Sequence, residues 1–205
     1  LKSNPKGDLT MSRVKLVERE TKETNISLTL DLDGSGQSTV DTGIGFFNHM
    51  LEGFAKHGFF NLKVSAKGDL IVDCHHTVED TGIVLGLAIK EALGNKAGIK
   101  RYGSFMLPMD DALVLCAIDL CGRPYFDFDC NFETERIGYL ETQTIREFFY
   151  AISYSAGMNL HIKVLSGVND HHKCEAMFKA FAKALDEATS LDPRTTEIPS
   201  TKGLL

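Results

Sequence analysis

The sequence predicts an α+β fold built twice over: two βββαβα half-domains whose helices pack between two mixed sheets. Three observations carry this. Stretches that alternate apolar and polar residues are interleaved with stretches whose apolar residues recur at helical spacing. The order of these stretches in the first half recurs in the second. A short block, His75-His76-x-x-Glu79, also returns as His171-His172-x-x-Glu175 together with its flanks.

Residues 1–10 are polar, carry Pro5 and Gly7 and precede Met11. They read as a disordered leader or an appended remnant, with the natural start at Met11. Arg13–Arg19 and Asn25–Leu32 alternate as strands do, and Asp33-Gly34-Ser35-Gly36 is a turn. Gly43–Lys56 reads as a helix with Phe46, Phe47, Met50, Leu51 and Phe54 on one face. Phe60–Ala66 reads as a strand broken by Lys67-Gly68-Asp69. After His75-His76 comes a helix over Val78–Leu93, ended by Gly94-Asn95. The second half runs through strands at Ser104–Met109, Ala112–Leu120 and Tyr125–Asp129, then a helix at Glu141–Ala156, a strand at Leu160–Leu165 and a helix at Glu175–Ala188. Superposing the two His pairs also places Ala88 on Ala184, Ile89 on Leu185 and Ala92 on Ala188. Upstream, Asn61-Leu62-Lys63-Val64 falls near Asn159-Leu160-His161-Ile162. That extent of repetition implies internal duplication. The repeats span approximately residues 11–97 and 98–192, followed by a C-terminal tail over 193–205.

Composition narrows the function. The formal net charge is −6, a poor match to a nucleic-acid backbone. The longest apolar run, Ala112–Ile118, falls far short of the ~20 residues that span a bilayer, and no secretory apolar segment follows the start. Five cysteines, an odd count with no Cys-x-x-Cys spacing, point to a cytoplasmic protein without a disulfide framework.

The chemistry concentrates in the two His-His-x-x-Glu blocks. Residues three or four apart share a helix face, so Glu79 can stand beside His75 or His76, and Glu175 beside His171 or His172. Adjacent histidines diverge by ~100° on a helix, so one pair can serve two different ions. Imidazoles with a carboxylate suit Mn, Fe or Zn better than Ca or Mg. Cys74 precedes its pair and Cys174 follows its own, so they are not equivalent and read as buried structural thiols. His49 lies on the first-half helix, and Glu147 is the coordinating residue nearest the corresponding place in the second. His57 and His161 have no duplicated partner and read as structural. Arg101-Tyr102-Gly103, Gly122-Arg123-Pro124 and Ile198-Pro199-Ser200-Thr201-Lys202-Gly203 supply the donors of an anion cradle. Lys179 lies one turn beyond Glu175. On these motifs alone a dinuclear metallohydrolase or a metal-storing assembly protein also fits.

From about Arg19 to Leu205 the chain resembles the imidazoleglycerol-phosphate dehydratases of histidine biosynthesis. The matching segments are Thr21-Lys22-Glu23-Thr24, Phe47-Asn48-His49-Met50-Leu51, Asp73-Cys74-His75-His76-Thr77-Val78-Glu79-Asp80, Gly122-Arg123-Pro124-Tyr125, His171-His172-Lys173-Cys174-Glu175-Ala176, Phe178-Lys179-Ala180-Phe181 and Pro199-Ser200-Thr201-Lys202-Gly203. The resemblance implies a manganese-dependent lyase with two Mn(II) ions per subunit. It would convert imidazoleglycerol phosphate to imidazole acetol phosphate through a metal-stabilised imidazolate/diazafulvene intermediate. It assigns His49, His75, His76, Glu79, His171, His172 and Glu175 as metal ligands, several of them thereby catalytic. Glu147 is a further ligand, although many family members have His there. It makes Glu23 the acid–base carboxylate and gives phosphate or substrate binding to Arg101, Arg123, Lys179, Ser200 and Lys202. Gly53 stands where many members have Gln. The family forms a cubic homo-oligomer, a 24-mer with metals between subunits.

Overall fold

The computed structural model describes residues 13–205, so the expected leader and the start at Met11 lie outside the described residues. In chain order the elements are β1 (Val14–Glu20), β2 (Thr24–Asp31), β3 (Ser38–Asp41), α1 (Gly45–Gly58), β4 (Asn61–Gly68), α2 (His75–Leu93), β5 (Tyr102–Met109), β6 (Ala112–Asp119), β7 (Tyr125–Asp129), β8 (Arg136–Ile137), β9 (Leu140–Glu141), α3 (Thr142–Ala156), β10 (Asn159–Ser166) and α4 (Asp170–Thr189).

The duplication is visible in the strand order. One sheet runs β1-β2-β4-β3 and the other β5-β6-β10-β7, the same order in each half. In both, the third strand pairs parallel to the fourth and the others pair antiparallel. Alternation sets the faces: Ile26, Leu28 and Leu30 of β2 and Val114, Cys116 and Ile118 of β6 all point inward and are buried. The α2 helix lies on β1 and β2, and α4 on β5 and β6. Between the sheets α2 packs on α3, and α1 on α4.

Two close approaches fix this arrangement. On α2, a Cβ at Gly82 would come within 2.6 Å of the Phe148 carbonyl oxygen, and one at Gly86 within 2.7 Å of the Ser155 Cβ. Glycines there let the α2 and α3 backbones meet. Phenylalanines fill the rest: Phe148 stacks on Phe178 at 5.2 Å, Phe54 on Phe181 at 5.5 Å, and Phe47 meets Phe148 edge-on at 5.2 Å. Among the described residues no helix is long and apolar enough to cross a membrane, and all five cysteines are free. Cys74 and Cys174 are both buried, as expected of structural thiols.

The structure extends the sequence expectation in three places. The short strand β3 completes the third-strand position of the first half. The β8–β9 hairpin is an addition to the second half alone. Both helices that carry a His-His-x-x-Glu block start earlier than their apolar stripes: α2 begins at His75 and α4 at Asp170. Histidine, aspartate and cysteine are modest helix formers, so periodicity alone misses that first turn. On α4 it is secured by Asn169, whose side chain accepts the His172 N–H at 3.2 Å.

Candidate metal and anion sites

Starting α4 at Asp170 puts His171 and Glu175 one turn apart on one face. His171 Nε2 lies 3.1 Å from Glu175 Oε2. The packing of α1 on α4 brings in His49, whose Nε2 is 3.8 Å from the same oxygen. Ligand atoms of His49, His171 and Glu175 all lie within 4.8 Å of one another. The other Glu175 oxygen receives Lys179 Nζ at 2.7 Å. Burial pushes the Glu175 carboxyl up, but the Lys179 hydrogen bond and charge and the nearby histidines more than reverse this and hold it below its ordinary value. The result is an anionic carboxylate beside two imidazoles, a donor set that fits a first-row divalent ion.

The α2 motif repeats the pairing with less convergence. His75 Nε2 lies 3.4 Å from Glu79 Oε2. Glu147 is engaged by Arg146 NH1 at 2.9 Å, and it does not join a three-residue cluster among the described residues.

The second histidine of each pair diverges from the first, as helical geometry requires. The ring planes of His75 and His76 meet at 78°, and those of His171 and His172 at 82°. His76 Nδ1 faces Asp69 at 3.1 Å, with Glu23 at 3.8 Å. His172 Nδ1 faces Asp111 at 2.7 Å, and its Nε2 has Asp110 at 3.4 Å. Hydrogen bonding to Asp69 raises the His76 pKa, and hydrogen bonding to Asp111 raises that of His172. Asp111 is itself held well below the usual carboxylate range by His172 and by the Val168 and Asn169 N–H groups. Asp69, in the β4–α2 connection, and Asp110 and Asp111, in the tight β5–β6 connection, were invisible in the sequence because an aspartate just past a strand end reads as a turn former. Glu23 and Asp111 each immediately precede the second strand of their half, so they are duplicated counterparts.

The basic segments meet elsewhere. Arg101, Tyr102 and Arg123 line an open cavity of about 800 Å³ together with tail residues that include Ser200 and Lys202. Arg101 is already committed: Nε and NH2 donate to the two Asp119 oxygens at 2.7 and 3.1 Å, and NH1 to the Pro199 carbonyl at 2.8 Å. Backbone bonds stitch the tail alongside, from Lys100 N–H to Ser190, from Asp192 N–H to Gly98 and from Gly98 N–H to Glu197. Lys179 stands with Glu175, outside the cavity lining. The Arg101 N–H bonds the Ala188 carbonyl near the end of α4. At 1.5 Å per residue the cavity therefore lies about 24 Å along the helix from His172. His161 Nδ1 lies 3.3 Å from Asp127 Oδ2 on the neighbouring strand β7. A Cβ at Gly53 would meet nothing within 4 Å, so the side chain absent there leaves open space.

Comparison with known proteins bears directly on this arrangement. A sequence model described as imidazoleglycerol-phosphate dehydratase matches residues 42–185. The chain belongs to the imidazoleglycerol-phosphate dehydratase family. It is an enzyme, a hydro-lyase. The imidazoleglycerol-phosphate dehydratase of Lachnoclostridium phytofermentans is 63% identical over 94% of this chain and 98% of its own length. That of Acetivibrio thermocellus is 57% identical over 95% and 100%. Among solved structures, the Staphylococcus aureus enzyme superposes with TM-score 0.79 at 35% identity, covering 87% of this chain and 99% of that one. The Pyrococcus furiosus enzyme in complex with (S)-C348 gives 0.80 at 34% identity, covering 92% and 100%.

Proposed function

We propose that the chain dehydrates imidazoleglycerol phosphate to imidazole acetol phosphate in histidine biosynthesis, in the cytoplasm, with Mn(II) as cofactor at two sites per subunit. The observation that carries the metal assignment is the convergence of His49, His171 and Glu175 in a chain of this family. Bound Mn(II) would supply Lewis acidity and hold the substrate ring and diol in place. The protein's own groups do the rest. Asp69 and Asp111 orient the His76 and His172 rings through Nδ1. Glu23, exposed beside His76, is the acid–base carboxylate.

The reaction is difficult because no carbonyl flanks the carbon that loses its hydrogen. Ionising the imidazole lets the ring expel the hydroxyl on the attached carbon. The next carbon's proton then becomes acidic and passes to the carboxylate of Glu23. The enol formed becomes the ketone, and hydroxide and proton together leave as water. Arg123, Ser200 and Lys202 hold the phosphate, with Arg101 contributing the donors that Asp119 and Pro199 leave free.

A three-carbon chain separates ring from phosphate in this substrate, which is far too short to cover ~24 Å along α4. One chain's tail therefore serves α4-motif residues supplied by another chain, within a large homo-oligomer, a 24-mer by family resemblance. Metal binding then contributes to association. The test uses metal-stripped protein with Mn(II), Zn(II) or Fe(II) added back. Ketone formation with phosphate retained supports the assignment. Phosphate release from the substrate or from a phosphomonoester would place the chain with hydrolases. For assembly, chelation is expected to give a smaller inactive species by light scattering. Mixing inactive His76→Ala and His172→Ala proteins before adding Mn(II) should restore part of the activity. An unchanged particle and no rescue would favour sites built within one chain.

A further inference from the structure

The duplication makes each metal motif a control for the other. Aligned on the strand starts Asn61 and Asn159, His49 of α1 corresponds to Glu147 of α3, and Phe46 to Thr144. Aligned on the His pairs, Lys179 corresponds to Ile83. All three places differ in chemistry. At the start of α4 the Phe46 ring lies 4.9 Å from His171 and 6.4 Å from His49, and Lys179 fixes one Glu175 oxygen. At the start of α2, Thr144 spends its hydroxyl on the Glu141 carbonyl at 2.7 Å, Glu147 is turned to Arg146, and Ile83 offers no charge. The Glu175 side chain is 12% exposed and that of Glu79 is 39% exposed.

The β8–β9 hairpin deepens the difference. β3 passes into α1 through Thr42–Ile44, but β7 reaches α3 only after this added hairpin. Its Gly138, at φ 61°, covers Phe46: a Cβ there would lie 3.7 Å from the Phe46 Cβ. The hairpin thus backs Phe46, and Phe46 backs the two imidazoles.

We propose that the two half-sites hold metal unequally: the α4 half-site is pre-assembled and fills first, the α2 half-site is open and fills second, and Phe46 is a positioning residue of the first. The proposal rests on the metal-dependent reading above. A preformed donor set needs no ordering when the ion arrives, whereas His75 and Glu79 must recruit a further ligand. Lys179 opposes a cation by its charge. It occupies only Glu175 Oε1, however, and leaves Oε2 aimed at both rings. Three fixed donors against two decide the order.

The test is titration of metal-stripped protein with Mn(II), following the free ion by electron paramagnetic resonance. Two classes of one ion per chain are expected, at least ~10-fold apart in Kd, the lower end of what supporting groups contribute around metal ligands. Phe46→Ala should weaken the tight class ~10-fold and spare the weak one, and Phe46→Leu, which keeps an apolar wall, should restore most of the loss. Glu147→His should tighten the weak class, and His49→Ala should abolish the tight one. A single class of two equal ions, or equal weakening of both classes by Phe46→Ala, overturns the proposal. Absence of any Mn(II) uptake refutes the metal-dependent reading instead.

Discussion

Replacing Asp170 with Asn removes one charge from a pair that water barely reaches. Asp170 and Lys173 are 6% and 4% exposed. Lys173 Nζ donates to Asp170 Oδ1 at 2.9 Å and to the Asn131 carbonyl at 3.0 Å. Asp170 Oδ2 accepts the Glu133 N–H at 2.8 Å, the Thr134 N–H at 2.7 Å and the Thr134 hydroxyl at 2.8 Å. The pair therefore fastens the root of the β8–β9 hairpin to the first turn of α4, next to His171. Asp170→Asn leaves the ammonium without a counter-charge and turns an NH2 either to Lys173 or to the Glu133 and Thr134 donors. Breaking a buried pair from one side costs about 3–5 kcal/mol, a large share of the roughly 5–15 kcal/mol that holds a typical domain folded. Asp170→Asn/Lys173→Met leaves no unpaired charge and should be at least ~1 kcal/mol more stable than the single variant. Urea unfolding of metal-free protein at fixed chain concentration, read by far-ultraviolet circular dichroism with the m-value checked, measures both. A single-variant cost below ~1 kcal/mol, or a double variant no more stable than the single, would refute the reasoning. Acid supplies a second readout. Burial raises the Asp170 pKa, but hydrogen bonds from Lys173, Thr134 and Glu133 outweigh it and set the net shift downward. A depressed carboxylate contributes fully above its unfolded value, ~3.9, and loses that contribution as pH falls through the lower folded value. Asp170→Asn should therefore lose less stability than the parent across that acid window.

Glu23→Gln should leave metal content intact and lower kcat at least ~100-fold; near-normal kcat would remove Glu23 from the mechanism. Arg123→Ala and Lys202→Ala should weaken substrate and inorganic phosphate binding without releasing metal, and manganese loss with normal phosphate binding would reverse that assignment. His76 and His172 titrate above their ordinary value because Asp69 and Asp111 hydrogen-bond them. In metal-free protein those pairings stabilise below the unfolded His pKa, and the benefit is lost as pH rises through the raised folded values. Metal requires neutral imidazole, so Mn(II) uptake should fall as pH drops through the same raised values, above ~6.5. Asp69→Asn and Asp111→Asn should move that midpoint to lower pH, and an unmoved midpoint would contradict the orienting role of these carboxylates.

Duplication was legible because it preserves local pattern. The paired blocks at His75 and His171 fixed the repeat, and the alternation of Ile26, Leu28 and Leu30 fixed a sheet face. Strand order was not legible, since pairing of β2 with β4 rather than β3 depends on contacts distant in sequence. The β8–β9 hairpin escaped because two-residue strands carry no period. At the metal motifs the sequence supplied the residue types and the helical face. In both motifs the first histidine, four residues before its Glu, makes the approach; the start of α4 was set by Asn169 rather than by the apolar stripe. Asp111 escaped because its partner His172 is distant in sequence and only the β5–β6 connection brings them together. Lys179 was legible as a neighbour of Glu175, and that is where it stands.

Arg101 has a consequence for the freedom of the tail. Ordering one residue's backbone costs about 1–2 kcal/mol. By tying Pro199 to the β5–β6 sheet, and with the backbone stitches at Ser190, Asp192 and Glu197 beside it, folding has already met that cost for most of the tail. Beyond Pro199, Ser200 and Gly203 close a local turn through Gly203 N–H to the Ser200 carbonyl at 3.0 Å. An anion entering the cavity therefore has only this short remainder to immobilise. In the proposed phosphate role, the strap keeps Ser200 and Lys202 at a high effective concentration over the cavity mouth, as tethered donors rather than a chain end recruited from solution.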